Sequence, residues 1–85
     1  MSKVLVILKI FPEGLEVDLE KLKEKINILI KPEKMELEDI AFGLKAIKVS
    51  KIIDDDGSIL EEIENKLKTI EGVSSVEVIH ITRTI

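Results

Sequence analysis

Apolar and polar positions alternate along this chain in stretches of distinct period. Val4-Leu5-Val6-Ile7-Leu8 is an unbroken apolar run rich in β-branched side chains. That is the pattern of a strand buried on both faces, or nearly so. Lys9 is its first polar residue, and Phe11-Pro12-Glu13-Gly14 closes it, because Pro12 lacks a donor and Gly14 lets the chain turn. From Asp18 to Ile30 the period lengthens. Leu19, Leu22, Ile26, Leu29 and Ile30 recur on one helical face, with Glu20, Lys21, Glu24 and Lys25 on the exposed side. Asp18 is the predicted N-cap, its carboxylate accepting from free amides of the first turn, and Pro32 stops the helix.

Lys34 to Ile40 returns to alternation, with Met35 and Leu37 apolar and Glu36 and Glu38 polar, which predicts a strand with one wet face. Ile40 and Phe42 then fall on the opposite phase, and a bend or bulge near Asp39 is the expected cause. After Gly43, a third strand is predicted over Leu44 to Ile53. Ile47, Val49 and Ile53 share one of its faces, but Lys45 and Lys51 intrude on the same phase and leave the buried face undefined. Asp54-Asp55-Asp56-Gly57 reads as a turn, and Ser58-Ile59-Leu60-Glu61 matches a capping box. Ile59 or Leu60, Ile63, Leu67 and Ile70 form the inner stripe of a second helix, ended by Gly72 in a left-handed position. Val76, Val78, Ile79 and Ile81 make the last strand. The order βαββαβ, with one apolar stripe per helix, predicts an α+β fold of ferredoxin-like type: a four-stranded antiparallel sheet with two helices on one face.

Composition narrows the function. The 85 residues suit one domain, 1–85, and an apolar share of 45% can fill a modest core. Phe11 and Phe42 are the only aromatics, so the core is built from Ile, Leu and Val, and an aromatic placed outside it needs a reason. A net charge of -4 disfavours a general nucleic-acid binder. The absence of Cys removes disulfides, thiol chemistry and thiolate metal sites, and fits a cytoplasmic location. The longest apolar run, Val4 to Leu8, falls far short of the roughly 18 residues of a membrane span. It is also followed by no small-residue cleavage site, so neither a membrane anchor nor a signal peptide is expected.

Residue chemistry points away from catalysis. His80 is the only His, so no His pair or triad forms within one chain, and it reads as an ordinary strand residue. Asp54-Asp55-Asp56-Gly57 lacks the further spaced ligands of a calcium loop and reads as a solvated turn, so no metal is expected. Gly14, Gly43, Gly57 and Gly72 form no phosphate-binding cluster, so no nucleotide or other cofactor is expected. An RNA-recognition module of this topology needs aromatics on its central strands, and Leu44 to Ile53 has none. Protein binding remains. Phe42 beside Gly43 either fills the core, as Phe does by default, or projects from the domain and anchors a partner.

The segment Ile40-Ala41-Phe42-Gly43-Leu44-Lys45-Ala46-Ile47-Lys48-Val49 resembles the signature of the translation elongation factor one-beta family. Ile70-Glu71-Gly72-Val73-Ser74-Ser75-Val76-Glu77-Val78, the strand end Phe11-Pro12-Glu13 and the helix entry Val17-Asp18-Leu19-Glu20 resemble its archaeal branch, and the likeness runs the length of the chain. The resemblance implies a ferredoxin-like fold and guanine-nucleotide exchange on elongation factor one-alpha, a GTPase, with no bond chemistry and no cofactor. It implies a partner-binding role for Ile40, Ala41, Phe42 and Gly43, with Phe42 matching the aromatic that packs into the partner. It implies a second role at the tail, Arg83, Thr84 and Ile85, where eukaryotic members carry a Lys just before their last residue. Here Thr84 holds that position and Arg83 is the nearest cation, with a planar guanidinium in place of a compact ammonium. Asp39 also departs, standing where the family often has Pro. The alternative from topology alone is an ACT-like domain that binds a small regulatory molecule.

Overall fold

The computed structural model describes residues 2–84. Its elements run β1 (Lys3–Pro12), α1 (Leu19–Ile30), β2 (Lys34–Asp39), β3 (Lys45–Asp54), α2 (Gly57–Lys68) and β4 (Val73–Thr84). The strands form one antiparallel sheet in the order β2-β3-β1-β4. Each helix therefore links two parallel strands with another strand between them, which is the ferredoxin-like arrangement predicted above.

The core lies between one sheet face and both helices. Val4, Val6, Leu8 and Ile10 of β1 meet Leu22, Ile26 and Ile30 of α1 and Ile63, Leu67 and Ile70 from α2 and its exit. The continuous apolar run of β1 belongs to a central strand with only one covered face: Leu5 and Ile7 on the other side are half-buried by their neighbours. Leu29, placed in the inner stripe by spacing, is exposed, because Leu22, Ile26 and Ile30 already fill the contact.

The ambiguous phase of β3 resolves at its ends. Ile47, Val49 and Ile53 are buried on the helix side. Lys51, on the same phase, reaches past the core rim and donates from Nζ to the carbonyl of Lys31 at 3.1 Å. That carbonyl lies at the C-terminus of α1, whose last turn has no basic residue of its own, so the ammonium meets the negative end of the helix. Lys45 sits at the first position of β3, outside the helices, 3.8 Å from Asp39. β2 is shorter than β3, and Glu33 extends its pairing: its amide donates to Ser50 O and its carboxylate accepts from the Ile52 amide at 2.8 Å.

Three local expectations change. No bulge occurs near Asp39, because β2 pairs with β3 in continuous register from Lys34↔Ser50 to Asp39↔Lys45. The parity change arises because Ile40 and Phe42 have left the strand. A bulge is found instead in β4, where the partners of β1 step from His80 to Val78 and skip Ile79. That extra residue keeps Val76 and Val78 on the same face as Ile81. Finally, α2 begins earlier than the capping box implies. Asp56, not Ser58, is the N-cap, and its carboxylate accepts from both the amide and the hydroxyl of Ser58. α2 also ends at Lys68, before Gly72, whose φ of 96° serves the turn into β4.

Candidate partner-binding site

The hairpin between β2 and β3 is closed by two backbone bonds, Ile40 N to Leu44 O and Leu44 N to Ala41 O, each 3.0 Å. Its central residues, Phe42 and Gly43, have φ of 57° and 78°. Two consecutive positive φ values are the pattern of a type I′ turn, the form whose twist matches that of paired strands. Asn-Gly is the usual solution. Phe in the left-handed region carries a steric cost that Asn or Gly largely avoids. Its side chain is 92% exposed, so packing within the fold does not offset that cost. The two aromatics thus differ sharply. Phe11 is half-buried, with the Lys9 ammonium 5.9 Å from its ring centroid, while Phe42 stands in solvent.

The hairpin sits at the end of the sheet where β1 exits. The loop after β1 and the turn before β4 meet there, joined by a 2.9 Å bond from Glu13 N to Gly72 O. Leu15, in that loop, is 71% exposed and lies against the hairpin: a Cβ on Gly43 would fall 3.7 Å from Leu15 Cδ2. Between them opens a groove of about 370 Å³ whose walls combine Pro12, Val17, Leu19, Leu37 and Leu44 with Asp18, Glu20 and Lys45. Just behind the hairpin, the Lys9 ammonium at 2.9 Å from Glu38 holds that carboxyl below its usual range. Leu15 escaped the sequence reading because an isolated Leu between turn residues has no periodicity.

The second group of sequence candidates is elsewhere. Arg83 is registered opposite Val4, at the far end of β1, and Thr84 opposite Lys3. Ile85 lies outside the described residues. The Arg83 guanidinium is exposed and 3.3 Å from the Asp55 carboxylate in the turn before α2. Ile10 is paired with Ile47 at the hairpin end, so six residues of β1 separate the two groups by roughly 20 Å before the hairpin tip is added. The fold therefore brings Ile40, Ala41, Phe42 and Gly43 together with Leu15, and holds Arg83 and Thr84 at the opposite pole. Among the described residues no charged or polar side chain is buried. What both poles offer is exposed apolar surface and surface charge.

Comparison with known proteins places this geometry in a family. The profile of the EF-1 guanine nucleotide exchange domain matches residues 5–84. The chain is similar to the elongation factor 1-beta of Methanoregula boonei, with 39% identity covering 96% of this chain and 98% of the relative. It is 45% identical to that of Staphylothermus marinus, with 92% of each chain covered. It is 42% identical to that of Methanocorpusculum labreanum, with 98% of each covered. The family match spans all but the ends of the chain, both helices and the Phe42 hairpin included, and so this chain belongs to the EF-1 guanine nucleotide exchange domain family.

Proposed function

We propose that this protein is a guanine-nucleotide exchange factor that promotes GDP release from translation elongation factor 1-alpha and so permits GTP reloading, acting as one exchange domain in the cytoplasm. The observation that carries this reading is Phe42: an aromatic held at the tip of a hairpin, in a backbone region that disfavours it, and almost fully exposed. Strain at an exposed aromatic is explained by a contact made outside the chain. Membership of the exchange-domain family supports the identity of that contact.

The action needs no bond chemistry from this chain. A factor that binds the nucleotide-free GTPase better than the loaded one weakens nucleotide binding by the same coupling free energy. Phe42 and its hairpin neighbours Ile40, Ala41 and Gly43 provide the anchor. Arg83, about a strand's length away, forms a second contact, to which the tail residues Thr84 and Ile85 contribute. Two contacts this far apart let one rigid domain engage two regions of the GTPase at once. Arg83 leaves Asp55 when it engages, an exchange of one exposed ion pair for another that costs little. The test is release of fluorescent GDP from elongation factor 1-alpha, timed with and without the protein. Acceleration that saturates with factor concentration is expected, and an unchanged rate at saturating concentrations refutes the proposal.

A further inference from the structure

Phe42 is not the only apolar side chain that the fold leaves uncovered at the hairpin end. Leu15 is 71% exposed, yet it lies along Gly43 and lines the groove together with Pro12, Leu37 and Leu44. The hairpin that carries Phe42 also walls the groove, through Gly43 and Leu44. The flank of this end nearest α1 is acidic. Glu13, Glu16 and Glu71 surround a shallow hollow beside the groove, and none has an ion pair among the described residues, although Lys21 and Lys25 share it. With Asp18 engaged in capping α1, negative charge is in excess there.

Resting on the exchange-factor reading above, we infer that Leu15 is a second docking residue. It would close the groove over an aliphatic side chain of the GTPase, presented on a segment that carries Lys or Arg. The aliphatic side chains of the groove take the aliphatic group, and the unpaired carboxylates take the flanking cations. Phe42 then anchors into the partner while the partner anchors into the groove, a reciprocal contact that fixes orientation better than one aromatic alone. Gly43 suits the junction because its φ of 78° lies in the left-handed region that the turn requires.

The test measures GDP release from elongation factor 1-alpha across factor concentrations, with the full chain and four variants, one of them Phe42→Ala. Leu15→Ser removes the aliphatic side chain without touching the core. Ile28→Ser, which removes an equally exposed aliphatic (75%) from the outer face of α1, is the control. Glu13→Gln combined with Glu16→Gln neutralises part of the acidic flank. Leu15→Ser should raise the factor concentration for half-maximal release by about tenfold, the scale of one buried Leu, with the maximal rate and the melting temperature retained. Ile28→Ser should match the unmodified protein. The double Gln variant should bind more weakly at low salt and lose part of its salt dependence. Normal release with Leu15→Ser, alongside impaired release with Phe42→Ala, overturns the inference and leaves the exchange function standing. An unaltered salt dependence in the double Gln variant overturns the cationic occupant. No acceleration by the unmodified protein overturns the exchange reading and this inference together.

Discussion

Replacing Phe42 with glycine should separate folding from function in opposite directions. The phenyl ring is 92% exposed, so its removal deletes almost no contact within the fold. Its backbone, at φ 57°, sits where a side-chain-bearing residue pays roughly 1–2 kcal/mol relative to the right-handed region. Gly removes that cost but loosens the unfolded chain, which returns about 0.4–1 kcal/mol. The net expectation is a fold unchanged or stabilised by up to about 1.5 kcal/mol. For a chain of this size each kcal/mol moves Tm by about 4–8 °C, within reach of thermal denaturation followed by circular dichroism. Exchange should suffer instead. A Phe side chain buried in a partner contributes about 1.5–3 kcal/mol, so the factor concentration for half-maximal GDP release should rise about 10- to 150-fold. A loss of 2 kcal/mol or more in the free protein would show that Phe42 packs within the fold. Undiminished exchange would remove it as the anchor.

Other positions test the scaffold. Leu8, fully buried at the centre of β1, should cost about 2–5 kcal/mol when cut to Ala, read as a lower urea midpoint with an unchanged slope. Gly72→Ala and Gly43→Ala both place a side chain at positive φ, but only at Gly72 does the new Cβ come within 3.3 Å of Val17 Cγ1. Gly43→Ala should therefore cost about 1 kcal/mol and Gly72→Ala visibly more, compared by equilibrium denaturation. The Ser58 hydroxyl and amide hold the Asp56 carboxyl below its usual range. An acid with a depressed folded pKa stabilises the fold fully above its unfolded value, and that contribution disappears as pH falls through the folded value. Tm of the unmodified protein should thus fall toward that of Asp56→Ala on acidification below about pH 4, while the two stay separated at neutral pH. A gap constant across that range would refute the assignment of the cap.

The order of elements could be read from the chain because its causes are local. Asp18 can cap only the helix it precedes, and Leu22, Ile26 and Ile30 share a face whatever they pack against. The alternation of Met35 and Leu37 likewise marks a strand before its partner is known. Six such segments of matching length leave few compact arrangements, and the ferredoxin-like sheet is the simplest. Errors arose where two local explanations compete. A change of parity reads the same whether a strand bulges or bends away, so a bend or bulge is expected near Asp39; the chain bends out of β2 there, and the bulge lies at Ile79. Asp56 and Ser58 can both cap, and only the path of the chain from β3 decides between them.

The site divided along the same line. Phe42-Gly43 carried the resemblance that pointed to the hairpin, because a rare aromatic beside a Gly is visible in one dimension. Periodicity reports which face a residue occupies but not which strand lies alongside. Strand register alone brought Leu15 against Gly43, from loops almost thirty residues apart, and set Arg83 opposite Val4 at the other pole. The exposure of Phe42 was a tertiary decision too, made by Ile47, Ile10 and their neighbours. They are buried beneath the hairpin, while the turn carries Phe42 beyond the last paired residues of β2 and β3.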